Sequence, residues 1–353
     1  MARALFLAER GRGTTSPNPR VGAVVVSAGG VVVGQGAHER AGGPHAEVVA
    51  LEHAGERARG ATLYCSLEPC SHTGRTGPCV ERIVAAGITR VVAAVPDPDP
   101  RVSGAGFEFL RQRGIHVEQG TAEAEARTLN APFMTWITTG RPHVTAKVAV
   151  SADGFVGSTS GRQRLTGADT DRFFHRQRAE VDAIAVGAGT VRADDPQLTA
   201  RLAYRARPLA RVVFDLELEV RPEARLFSTL TAGPVIMIVR RQALDAGRAA
   251  ARALETAGAE LVAFEESGLD EALAWLGRRE ITSLLVEGGP VLHQAFFDAQ
   301  LVGRVQRVVT PVTLGGGVPE APGFLRSFKQ ARDMRERRFA ADRLVEWDVH
   351  RTH

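Results

Sequence analysis

The chain has 353 residues, 44% of them hydrophobic and 24% charged, which is ordinary globular composition and enough length for two domains. Its 44 basic against 40 acidic residues leave only +4, and the arginines are scattered, so a pI near 9.4 does not imply nucleic-acid binding. Three cysteines argue against a disulfide framework and for a reducing cytoplasm, and no apolar run approaches the ~18 residues of a membrane span.

In chain order, Met1 to Arg10 carries charges inside an apolar stretch and reads as an amphipathic helix rather than a signal peptide. The turn-rich segment Thr14 to Pro19 follows. Strands are expected over Val21 to Val26 and Val31 to Gln35, joined as a hairpin at Ala28-Gly29-Gly30. Pro44 stands where a helix would begin, and His45 to Arg57 has helical periodicity. A strand over Ala61 to Cys65 leads into Pro69-Cys70, a helix starts at Pro78 or Cys79 and ends before Gly87, and a strand covers Arg90 to Val95. This β-β-α-β-α-β order predicts a sheet layered with helices.

Pro44-His45-Ala46-Glu47 and the two Pro-Cys pairs carry the chemistry. One imidazole and two thiolates make a three-ligand zinc site with an open fourth position, where zinc lowers the pKa of a bound water to about 7. His45, Cys70 and Cys79 are all expected at or beside helix N-termini, whose partial positive charge favours thiolates. Glu47 is spare as a ligand and can carry protons between that water and a leaving amine, the apparatus of a zinc-dependent base deaminase. Cys65, in a strand with no partner spacing, reads as core.

A helix over Ala122 to Thr139 leads out of the first domain, and Thr139-Gly140-Arg141-Pro142 breaks it, placing the boundary at 140/141. The second half restarts with a strand over Val144 to Val150, a polar loop to Gly167 and a helix over Asp169 to Arg178. Strands are expected over Ala183 to Val186, Arg211 to Phe214, Val235 to Val239, Leu261 to Phe264, Leu284 to Val286 and Val305 to Thr310. Helices are expected over Leu244 to Ala257, Leu269 to Arg278 and Val291 to Gln300, and the alternation implies a mainly parallel sheet. The glycine turns Glu287-Gly288-Gly289-Pro290 and Gly315-Gly316-Gly317 do not match Gly-x-Gly-x-x-Gly and read first as tight strand–helix turns.

The stretch Ser66-Leu67-Glu68-Pro69-Cys70-Ser71-His72-Thr73-Gly74-Arg75-Thr76-Gly77-Pro78-Cys79 resembles the signature of the bacterial bifunctional riboflavin-biosynthesis deaminase/reductases. Its eight residues between the cysteines set it apart from cytidine and tRNA-adenosine deaminases, and Ser16 to Gly22 and Pro96-Asp97-Pro98 also match. The resemblance implies a cytidine-deaminase-like α/β/α layered domain over 1–140 and a dihydrofolate-reductase-like α/β domain over 141–353. The first would hydrolyse the 2-amino group of 2,5-diamino-6-ribosylamino-4(3H)-pyrimidinone 5′-phosphate with one zinc ion. The second would reduce the ribosyl side chain to ribityl with NADPH. Asn18 is then a partner for the pyrimidine, or else a turn residue; His72 and Arg75 suit the ribose phosphate. In the second half Lys147 through Gly154, Gly189 through Thr199, and Val286 through Pro290 look like the family's reductase. The pattern suggests Lys147 and Asp194 as the catalytic proton-donor candidates. It matches Arg178, Leu198, Arg201 and Glu287 to substrate positions, and Ala149, Thr190, Asp194 and Gly289 to cofactor positions.

Two departures stand out. Gly161-Arg162-Gln163-Arg164-Leu165-Thr166 is one residue short of the family's usual Gly-x-Ser-x-Trp-Ile-Thr and lacks its serine and tryptophan, and Asp215-Leu216 replaces the usual serine after the Arg211 to Phe214 strand. They motivate a competing reading, a deaminase with a degenerate or differently specific reductase. A nucleic-acid deaminase with an RNA-binding second domain is a further rival, opposed by the long inter-cysteine loop and scattered charge. The expected partners are a small-molecule pyrimidine ribotide and further copies of the chain, with no nucleic acid and no membrane.

Overall fold

The computed structural model describes residues 1–71, 77–99, 103–158, 163–265, 268–331 and 334–349. These fall into two compact units, Met1–Arg141 and Pro142–His353.

The first unit runs α1 (Ala2–Ala8), β1 (Gly22–Val26), β2 (Val32–Ala37), α2 (Ala46–Ala54), β3 (Thr62–Cys65), α3 (Cys79–Ala85), β4 (Arg90–Ala93), α4 (Ala105–Arg111), β5 (His116–Gln119), α5 (Glu123–Leu129) and α6 (Ala131–Thr139). Its sheet has the order β2-β1-β3-β4-β5, antiparallel at the β1–β2 and β1–β3 pairs and parallel beyond. Alternation along β1 sends Val24 into a small cluster with Ala4 and Leu7 of α1. Ala23 and Val25 face the larger cluster, which holds Ala46 and Ala50 of α2 with Val80 and Ile83 of α3. Helices therefore cover both faces.

The approach of α2 to β2 is close enough to exclude side chains. A Cβ on Gly36 would stand 2.4 Å from the Ala46 carbonyl oxygen and 2.6 Å from the Ala50 nitrogen, and one on Gly34 would stand 2.2 Å from the Ala50 oxygen. Glu68, buried beyond β3, ties the following segments together. Its carboxylate accepts from the backbone N–H groups of Asp97 and Gly104 (both 3.0 Å) and of Gly106 (2.9 Å).

The second unit runs β6 (His143–Val150), β7 (Phe155–Gly157), α7 (Ala168–Glu180), β8 (Ala183–Gly187), α8 (Ala188–Asp194), β9 (Ala210–Phe214), β10 (Val235–Arg240), α9 (Arg241–Ala246), α10 (Arg248–Thr256), β11 (Ala259–Phe264), α11 (Leu269–Arg278), β12 (Ser283–Val286), α12 (Pro290–Asp298), β13 (Val302–Val309), β14 (Val318–Pro319), α13 (Pro322–Gln330), β15 (Met334–Phe339) and β16 (Asp342–Asp348). The main sheet has the order β11-β10-β9-β8-β12-β6-β13-β16-β15. It is parallel from β11 through β13 and closes with the antiparallel β13–β16–β15 edge. Val144, Ala146, Val148 and Val150 of β6 enter the main core, while Thr145, Lys147 and Ala149 face the other way.

Several elements differ from the expectation. The Ala122 to Thr139 helix is two helices, because Asn130 leaves helical geometry and uses its side chain to bond the backbone of Arg20, accepting from its N–H (2.8 Å) and donating to its carbonyl (2.9 Å). Leu244 to Ala257 is likewise split at Gly247. Helices α4, α8 and α13 and strands β5, β7, β14, β15 and β16 had no counterpart in the pattern. For β15 the reason is its composition: Met334 to Arg338 are all exposed, so an edge strand with no buried side carries no apolar alternation.

Among the described residues no helix is long and apolar enough to cross a membrane. Replacing Gly36 by valine is expected to force α2 off β2 and to destabilise the first unit by about 1–3 kcal/mol. Calorimetry of the variant should show a lowered unfolding temperature for that unit; an unchanged one would mean that the close approach is dispensable.

Candidate functional sites

In the first unit three donor atoms converge where two helices begin. His45 is the extended residue that precedes α2, and Cys79 is the first residue of α3, directly after Pro78. Cys70 lies past the end of β3, and its backbone carbonyl accepts from the Val80 N–H at 3.3 Å. His45 Nδ1 lies 3.2 Å from Cys79 Sγ and 3.5 Å from Cys70 Sγ, and all three donor atoms fall within 4.8 Å of one another. The Cys79 N–H also points at Cys70 Sγ, at 3.4 Å. This is a site that could hold a metal ion, and one imidazole nitrogen with two sulfurs is a donor set that fits zinc with a position left open.

Among the side chains of this cluster alone the two thiols are pushed in opposite directions. A hydrogen bond from Cys79 and the nearby His45 imidazole hold the Cys70 thiol down at about 4, so Cys70 is a thiolate at neutral pH. The Cys79 thiol is pushed up by that same hydrogen bond and by burial. Glu47 is buried, and desolvation followed by the negative charge of Cys70 raises its carboxyl to about 7. Cys65 is fully buried on β3 and packs in the core, as its spacing suggested.

Asn18 reaches the surroundings of this cluster through a residue that the pattern missed. Asn18 Nδ2 lies 3.2 Å from His38 Nε2, and His38 Nδ1 lies 3.0 Å from the Pro44 carbonyl oxygen, so His38 can donate to Pro44 and accept from Asn18. The His38 ring also packs edge-on against the His45 ring, with centroids 5.6 Å apart. A lone histidine just past a strand carries no spacing signal in the sequence. His72 and Arg75 lie outside the described residues.

In the second unit a largely enclosed charge cluster forms around Glu287, immediately after β12. Arg178, near the end of α7, grips its carboxylate with both Nε and Nη2 at 2.7 Å, and Lys147 of β6 approaches to 4.0 Å. Burial opposes ionisation of Glu287, but the charge and hydrogen bonds of Arg178, with Lys147, prevail and hold it at about 2. Lys147 lies 4.5 Å above the Phe174 ring; burial lowers its pKa, Arg178 adds to that, and Glu287 and Asp171 oppose it. Arg178 also donates to the Thr199 carbonyl at 3.2 Å.

The remaining sequence-matched positions are less uniform. Ala149 shares the Lys147 face of β6 and packs against the Phe173–Phe174 cluster. Thr190 Oγ1 lies 3.2 Å from where a Cβ on Gly289 would stand, so Thr190 adjoins the Gly288–Gly289 turn; Gly288, at φ 151°, needs to be glycine. Asp194 is exposed at the end of α8, and Arg201 is exposed in a turn. The Leu198 side chain is committed to the hydrophobic core, which leaves its backbone for any ligand contact. Asp215 is buried and caps the turn after β9, accepting from the Glu219 and Val220 N–H groups at 2.8 and 2.9 Å. Of the altered loop, Gly161 and Arg162 lie outside the described residues; Arg164 pairs with Asp171, and Thr166 donates to the same carboxylate at 2.6 Å. In the Gly315-Gly316-Gly317 turn the Gly315 N–H is taken by Asp153 at 2.8 Å.

Two buried histidines were also missed. His175, one turn before Arg178, has an Nδ1 with no hydrogen-bond partner among the described residues, and burial with the charges of Arg178 and Arg201 lowers it to about 4. His293, in the first turns of α12, is lowered to about 4 mainly by burial.

Comparison with known proteins decides the family. Residues 142–342 match the model of the RibD C-terminal domain, and residues 1–95 match the cytidine and deoxycytidylate deaminase zinc-binding region. A riboflavin biosynthesis protein RibD from Aquifex aeolicus is 40% identical over 339 residues, covering 96% of this chain and 93% of that protein. The chain belongs to the RibD family. RibD from Escherichia coli is also 40% identical, over 92% of this chain and 91% of its own length. The structure of Acinetobacter baumannii RibD superposes with a TM-score of 0.82 at 32% identity, covering 99% of this chain and 98% of that one. A Thermotoga maritima deaminase/reductase gives 0.83 at 33% identity, covering 99% and 97%. This RibD-family protein is accordingly a bifunctional deaminase/reductase of riboflavin biosynthesis. It pairs a zinc-binding, cytidine-deaminase-like domain with the NADPH-using reductase domain of the RibD family, as the resemblance implied.

The Arg178–Glu287 pair has a stability consequence. Because the folded pKa of Glu287 lies below its unfolded value, the pair stabilises fully above about pH 4.5 and loses that contribution as pH falls toward about 2. Arg178→Met, which strands the buried carboxylate, is expected to cost roughly 3–5 kcal/mol at neutral pH in denaturant titrations and much less near pH 2. An equal loss at both pH values would mean that the charge is not the cause.

Proposed function

We propose that residues 1–140 hydrolyse the 2-amino group of 2,5-diamino-6-ribosylamino-4(3H)-pyrimidinone 5′-phosphate, and that residues 141–353 reduce the ribosyl side chain of the product to ribityl. The observation that carries the first assignment is the His45, Cys70 and Cys79 cluster with a buried carboxyl two residues along from His45. In this reading those three residues hold zinc, which when bound supplies Lewis-acid polarisation of a water. Glu47, poised near neutrality by burial, takes the proton from the attacking water and passes it to the departing amine, so that water is consumed and ammonia released. Asn18, fixed by His38, hydrogen-bonds the pyrimidine; His72 and Arg75 take the phosphate.

For the reductase, NADPH supplies the hydride. Lys147, whose pKa is lowered by burial, delivers the accompanying proton to the opening sugar, with Asp194 as its alternate. Arg178 and Glu287 orient the substrate with Arg201 and the backbone at Leu198, while Ala149, Thr190 and Gly289 border the cofactor. Three free cysteines suit a reducing cytoplasm. The exposed Leu325, Phe328 and Met334 on α13 and the edge strand β15 suit a homo-oligomer.

Glu47→Gln is expected to retain stoichiometric zinc yet lose deamination about a hundredfold or more, measured as ammonia release. Full activity in that variant would remove Glu47 from the mechanism. Stripping zinc with a chelator should abolish deamination and leave reduction of pre-deaminated substrate intact.

A further inference from the structure

We propose that His293 is a positioning residue for the reductase, its imidazole holding the start of the turn that presents Glu287 to Arg178 and Lys147. The inference rests on the reading that Glu287 and Lys147 serve reduction. His293 is 2% exposed; its Nε2 lies 3.2 Å from the Val286 carbonyl oxygen, while its backbone N–H makes the first helical hydrogen bond of α12, to the Gly289 carbonyl at 3.0 Å, whatever the side chain. A carbonyl can only accept, so Nε2 carries the proton and the tautomer is fixed. The ring is held edge-on against the fully buried Phe324, with centroids 4.9 Å apart.

Val286 and Gly289 bracket Glu287 and Gly288. On its other side the same turn is tied to β8, since the Glu287 N–H donates to Ala185 (2.9 Å) and the Gly288 carbonyl accepts from Gly187 (3.0 Å). With Gly288 and Gly289 adding no side-chain packing, the His293 imidazole is a side-chain hold on this turn from α12. Burial, with the charge of Lys147, keeps the imidazole neutral well below neutral pH, so it donates one unchanging hydrogen bond.

Lys147 faces Glu287, Arg178 and Asp171, with the Phe174 ring beneath it. Of these, Glu287 is the carboxylate whose place depends on the turn. If the turn slackens and Glu287 withdraws, Lys147 loses its principal opposing charge and titrates at lower pH.

The test is the pH dependence of reductase kcat/KM in the full chain, with NADPH and pre-deaminated substrate. His293→Phe is expected to lower kcat/KM at least tenfold and to move the limb that reports Lys147 to lower pH, while deamination by the same protein is unchanged. His293→Gln, which keeps an N–H donor, should restore both. In a Glu287→Gln background His293→Phe should add no further loss, since both act through one carboxylate. If the two losses multiply, or if the limb stays in place in His293→Phe, the inference is overturned while the roles of Glu287 and Lys147 stand. If Glu287→Gln alone leaves reduction untouched, the underlying reading fails and takes this inference with it. Should His293→Phe not fold, His293→Asn, too short to reach Val286, takes its place with the same expected results.

Discussion

Deamination in this chain depends on two backbones lying against each other. His45, a candidate metal ligand, and the carboxyl of Glu47 sit at the start of α2, and α2 brings them beside the cysteines while lying directly on β2. That approach leaves no room for a Cβ at Gly34 or Gly36. The cysteines arrive from the far side of the same layer, one beyond β3 and one opening α3. Behind them, Glu68 satisfies three buried N–H groups from the segments around Asp97 and Gly104, so the loop that carries Cys70 is braced from within.

The second unit solves a different problem, which is to hold three charges together in a largely enclosed place. Lys147, Arg178 and Glu287 come from β6, α7 and the end of β12, and none of them is tolerable alone at that depth. Together they form an arrangement in which Arg178 and Lys147 favour the ionised carboxylate and burial makes the Lys147 ammonium easier to deprotonate than usual. That is a suitable setting for a reaction that couples hydride transfer to a proton.

The metal-binding half was legible because its candidate donors stand in short local motifs, Pro-His-Ala-Glu and two Pro-Cys pairs, of which Pro44-His45 and Pro78-Cys79 also mark helix starts. The second site was legible only through resemblance. Arg178 and Glu287 are 109 residues apart, and nothing in periodicity says that they meet. His38, His175 and His293 stayed hidden for the same reason, since each draws its meaning from a carbonyl, an amide or a charge contributed by another element. The parallel strands were readable from their apolar runs, whereas β15 and β5 lie at sheet edges with mostly exposed or half-exposed residues and leave no such trace.

The altered stretch around Arg164 and Thr166 is seated on Asp171 at the start of α7, and the buried Asp215 serves as a turn cap where the family usually has serine. Both departures have a structural use that leaves the Lys147–Arg178–Glu287 cluster assembled. The measurement that tests the two-activity account most directly is NADPH oxidation by the purified protein supplied with the already deaminated ribosylamino substrate. Substrate-dependent turnover is the predicted result. No turnover, with ammonia release from the diamino substrate intact in a parallel assay, would contradict it and leave a deaminase joined to a domain of other purpose.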